Sequence, residues 1–112
     1  MTIVDRNKID FIYVENDTVV LEILDHLDWE KNSIANHWQM LTDKVKDYIG
    51  FIHSGQLKDN IKEKYNHESL KPCIKIVFLY QWPQLIEENL NKLKELNDEY
   101  NCKTKWEYKA QK

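Results

Sequence analysis

Between Ser33 and Ser54 the apolar residues Ile34, Trp38, Leu41, Val45, Tyr48 and Ile52 recur in steps of four, three, four, three and four, with Ile49 beside them. That period marks one face of an α-helix. A helix about 30 Å long with a single apolar stripe must lay that stripe on a second layer of structure. Ser33 or Asn32 can cap its first turn, and Asp28 offers a cap for an earlier start. Gly55 stands where a left-handed C-cap residue belongs.

The second layer is written on both sides of the helix. Ile9 to Glu15 and Thr18 to Leu24 are rich in β-branched and aromatic residues and read as two strands. Asn16-Asp17 between them leaves room only for an antiparallel hairpin. Residues Cys73 to Tyr80 form an almost continuous apolar run after Pro72, the pattern of a strand covered on both sides. Pro83 then opens a second helical pattern through Ile86, Leu90, Leu93, Leu96 and Tyr100. Lys103 to Lys109 alternates, with Thr104, Trp106 and Tyr108 on one side and Lys103, Lys105, Glu107 and Lys109 on the other. Outward lysines of that kind protect an edge strand from unwanted pairing. Gln56 to Glu68 fits either a short surface helix or a loop. The expected fold is an α/β two-layer sandwich in one domain, residues 1–112: a four-stranded mixed sheet with two helices on one face, in the order β-β-α-β-α-β. On this reading Ile12, Val14, Val20, Leu24, Val77 and Leu79 leave the helix-free face partly apolar, and Trp38 and Trp106 belong to the core.

Charge is unevenly distributed. Residues 1 to 30 hold eight Asp/Glu against two Lys/Arg, while the whole chain carries a net charge of −3. An acidic amino-terminal part repels phosphate, and Arg6 is the chain's one arginine, so the pattern opposes nucleic-acid binding and suits a basic protein partner. Gly50 and Gly55 are the only glycines, which excludes a dinucleotide fingerprint and a P-loop. The apolar runs are too short to span a bilayer, and Met1 to Asp5 lacks a signal-peptide pattern, so a cytoplasmic location is expected, without membrane association. Cys73 and Cys102 read as reduced structural thiols; parallel third and fourth strands would bring both to the same end of the sheet.

Chemistry concentrates in Asp25-His26-Leu27-Asp28-Trp29, at the junction of the second strand and the first helix. Asp25, His26 and Asp28 are the candidate acid–base cluster; turn formation and capping account for the same aspartates. No His or Cys pair has metal-ligand spacing, and neither a metal nor a cofactor is expected. Trp29 and Trp82 stand at strand-to-helix junctions, where a large ring can be partly exposed and serve binding or, at least as commonly, cover a core edge.

Asp10, the Asp17 hairpin, Asp25-x-x-Asp28-Trp29 and Leu41-x-x-Lys44-x-x-x-Tyr48-x-x-Phe51-Ile52-x-Ser54-Gly55 resemble the pattern of a small bacterial family of unknown function. The resemblance covers the first half of the chain and implies a fold but no catalytic residues. In composition the chain is also similar to bacterial toxin-immunity proteins, among which small acidic α/β domains without a catalytic motif recur. The leading expectation is a non-enzymatic protein-binding module, in its most concrete form an immunity protein neutralising a toxin domain. Its partner-binding residues would be Glu15, Asp17, Asp25, Asp28, Trp29 and Glu30. The alternatives are a small enzyme or ligand-binding domain around Asp25, His26 and Asp28, and a structural domain that forms homo-oligomers through the helix-free sheet face.

Overall fold

A computed structural model describes residues 11–30, 33–54 and 71–109. The elements are β1 (Phe11–Glu15), β2 (Thr18–Asp25), α1 (Ile34–His53), β3 (Lys71–Phe78), α2 (Gln84–Asp98) and β4 (Lys103–Tyr108). They build the expected α/β sandwich, with one four-stranded sheet in the spatial order β1-β2-β3-β4. Strands β1 and β2 are antiparallel, and β2, β3 and β4 run parallel. Asn16 closes the two-residue hairpin with φ 58°, a left-handed angle that asparagine tolerates.

The strand order explains why both helices share one side. Each parallel step, β2 to β3 and β3 to β4, advances in the same direction across the sheet. Two crossovers of the same hand must then place their helices on the same face. The core is built accordingly. Val19, Leu21 and Ile23 of β2 and Ile74, Ile76 and Phe78 of β3 meet Leu41, Val45 and Tyr48 of α1 and Ile86, Leu90 and Leu93 of α2. Tyr48 is also tied to the sheet by its hydroxyl, which donates to the Glu22 carbonyl at 3.2 Å.

β3 begins and ends two residues before the run Cys73 to Tyr80 suggested. Pro72 is admitted as its second residue, near the strand start where a missing N–H costs little. The strand stops at Phe78, where the registers with Asp25 and Tyr108 also stop. Ile12 and Val14 were expected on the helix-free face. They lie opposite Leu21 and Val19 and pack on the core, because directly opposed residues of an antiparallel pair point the same way. Leu24, Val77 and Leu79 do line the other face, together with Glu22, Lys75 and Glu107. Lys75 and Glu107 pair there at 3.1 Å. No helix among the described residues is long and apolar enough to cross a membrane. The segment Gln56 to Glu68, and the proposed Gly55 cap, lie outside the described residues.

Both cysteines are free and buried near the starts of the parallel strands. They take opposite sides of the sheet: Cys73 pairs in register with Lys103, so Cys102 is one residue out of step and joins the helix-side core. Burial raises the Cys73 thiol pKa and pushes that of Cys102 up to about 12.

Candidate functional site

The alternation of β2 places Val19, Leu21, Ile23 and then Asp25 on the helix side. The strand thus ends by directing a carboxylate into the core. Asp25 is 1% exposed and His37, in the first part of α1, is 0% exposed. The His37 Nε2 lies 2.8 Å from Asp25 Oδ1 and 2.6 Å from Oδ2. A carboxylate oxygen accepts, so Nε2 carries the proton and donates it to Asp25. The backbone N–H of Leu27 donates to Asp25 Oδ1 at 3.1 Å. The first turn of α1 has no acidic residue of its own.

Trp29 closes the cluster. Its ring stacks on His37 with centroids 3.5 Å apart and planes 18° from parallel, and leans on Phe78 at 6.0 Å. Phe78 in turn meets Trp82 at 4.9 Å, and the Trp82 indole N–H donates to the Glu87 carboxylate. Backbone bonds join the neighbouring strand ends: Leu79 N–H to the Asp25 carbonyl at 3.0 Å, and Lys109 N–H to the Phe78 carbonyl at 2.8 Å. The site therefore sits outside the carboxyl ends of parallel strands, where α/β sheets commonly place their functional groups.

The expected partner-binding residues fall into two groups. Glu15 and Asp17 are exposed at the hairpin, where Lys94, Lys103 and Lys105 line the same shallow depression. Asp25, Asp28, Trp29 and Glu30 are at the other end of β2, an eight-residue strand about 25 Å long. Within the second group Trp29 is 4% exposed and Asp25 1%, so the isolated chain holds both inside, whereas Asp28 is half-buried and Glu30 exposed. Asp28 does form a turn: its Oδ1 accepts from the Glu30 N–H at 2.9 Å. Ser33 is the N-cap of α1, its Oγ accepting from Asn36 N–H at 3.5 Å. His26, the third member of the proposed acid–base cluster, is half-buried beside Asp25.

His37 is the residue that sequence reasoning missed. The helical stripe was drawn through Ile34 and Trp38, yet the buried residues are His37, Leu41, Lys44, Val45 and Tyr48. Ile34 is exposed, while Trp38 is half-buried and still packs against the core beside the inward His37. The signal was present, since His37 lies four residues before Leu41 and eleven before Tyr48 on the same face. Lys44 is also fully buried, its ammonium 5.7 Å from the Tyr48 ring centroid.

Searches of curated proteins and of solved structures find no match. A family model matches residues 1–110, so the similarity extends well beyond the first-half motifs to nearly the whole chain. The chain belongs to DUF6572, a family of unknown function.

Proposed function

We propose that this chain is a non-enzymatic protein-binding module that meets a basic partner through Asp28 and Glu30. The observation that carries the reading is the construction of the 25–30 segment. Asp25 holds the Leu27 N–H, Asp28 holds the Glu30 N–H, and Trp29 is clamped against His37. A backbone fixed in this way carries the half-buried Asp28 and the exposed Glu30 with little main-chain freedom left to lose on association. The acidic excess of residues 1 to 30 adds long-range attraction for a cationic partner. Neutralisation of a basic toxin domain in a bacterial cytoplasm is the most concrete form of this function.

The Asp25–His37 pair supports the same reading from the other direction. Both side chains are 0% exposed, and the pair anchors α1 to β2. A ligand-binding or catalytic role around Asp25, His26 and Asp28 is the second reading, favoured by the unbonded Nδ1 atoms of His26 and His37. The test is binding of the full chain to the product of the gene adjacent to its own, compared with Asp28→Asn and Glu30→Gln. The module reading expects a one-to-one complex weakened at least several-fold in the double variant. A complex indifferent to both substitutions removes this surface, and self-association of the chain alone points instead to the helix-free sheet face.

A further inference from the structure

Among the described residues three ring nitrogens are buried without a hydrogen-bond partner: His26 Nδ1, Trp29 Nε1 and His37 Nδ1. Trp29 and His37 are 4% and 0% exposed, and their rings lie face to face. Buried polar groups in folded proteins are almost always bonded to something, so each of these unbonded nitrogens calls for a partner.

Chemistry narrows what that partner is. The Trp29 N–H can only donate. Asp25 occupies His37 Nε2, which leaves Nδ1 as an acceptor on a neutral ring and a donor on a charged one. A hydroxyl oxygen satisfies both nitrogens in either case, accepting from the indole while donating to or accepting from the imidazole. A carbonyl or carboxylate serves only the charged ring, and an ammonium cannot accept from the indole. The rings lie 3.5 Å apart and 18° from parallel, so an oxygen at the rim of the stack reaches both nitrogens where they share one edge.

We propose that His37 and Trp29 form an internal binding site for one hydroxyl oxygen, held between His37 Nδ1 and Trp29 Nε1. Asp25 backs the imidazole on its far side. The hydroxyl comes from water or from a small alcohol-bearing ligand. This site does not use the carboxylates of Asp28 and Glu30, and its test does not depend on a protein partner.

The test uses the full, isotope-labelled chain, with NMR cross-relaxation measured at the Trp29 indole N–H, long-range proton–nitrogen spectra of His37, and native mass spectrometry. A bound water gives cross-relaxation at the water frequency with the mass of the chain alone. A ligand hydroxyl gives it at a separate resonance with added mass. In Trp29→Phe, which retains a stacking ring but no N–H, the His37 Nδ1 resonance moves toward that of an unbonded nitrogen. Absence of cross-relaxation at the Trp29 N–H, from water or any other hydroxyl, overturns the proposal. That measurement on the unmodified chain decides alone if Trp29→Phe does not fold.

Discussion

Asp25 at the end of β2 and His37 at the start of α1 are joined through His37 Nε2 at 2.6 and 2.8 Å, with both side chains sealed from solvent. This contact sets the rotation of the helix. It holds an imidazole inside, with Trp38 half-buried beside it against the core, and it gives Trp29 a flat ring to cover.

Removing either partner therefore leaves the other buried and unsatisfied. Asp25→Asn and His37→Gln are each expected to lower stability by about 1–3 kcal/mol in chemical denaturation. Because both break one interaction, the double variant is expected to cost less than the two single effects combined, by about 0.5 kcal/mol or more. Strict additivity would show that the two residues contribute independently.

The packing of α1 is tested at Leu41, which is 0% exposed in the core shared with β2 and β3. Leu41→Ala is expected to destabilise by about 2–5 kcal/mol, the lost transfer energy of the side chain plus the residual cavity. A change below about 0.5 kcal/mol in urea unfolding would contradict this packing.

The hairpin, the two amphipathic helices and the alternating final strand were legible because each rests on a local period that burial on one face enforces. Ser33 was legible as a cap for the same reason: its partner, Asn36, is three residues away. The pairing of Asp25 with His37 was not. It spans twelve positions and depends on which of two adjacent helix faces turns inward. Periodicity favoured Trp38, since a histidine inside a core is stable only with a partner supplied by another element. Trp29 had two readings, an exposed binding ring or the cover of a core edge, and the His37 ring stacked on it decides for the cover. The inward direction of Ile12 and Val14 followed from hairpin register, which the turn sets and composition does not.

The thiols provide a pH-dependent expectation. Burial pushes Cys102 from its ordinary value of 9.0 up to about 12, so the folded chain keeps that proton at pH values where the unfolded chain releases it. The unfolded state then binds fewer protons, and stability falls as pH rises from about 9 toward 12, with no contribution from this group below that window. Thermal unfolding across pH 8–11 checks the sign. Iodoacetamide at pH 8 is expected to leave Cys102 unmodified in the native chain and to label it in denaturant.

The central claim, that the acidic face around Asp28 and Glu30 recruits a basic partner, is tested most directly by stopped-flow association of that partner across a salt series. The association rate is expected to fall steeply with ionic strength, because steering acts over a Debye length of about 10 Å at 0.1 M salt. Asp28→Asn with Glu30→Gln is expected to lower the rate and flatten its salt dependence, while dissociation changes less. A salt-independent association rate in the unmodified protein would contradict the account.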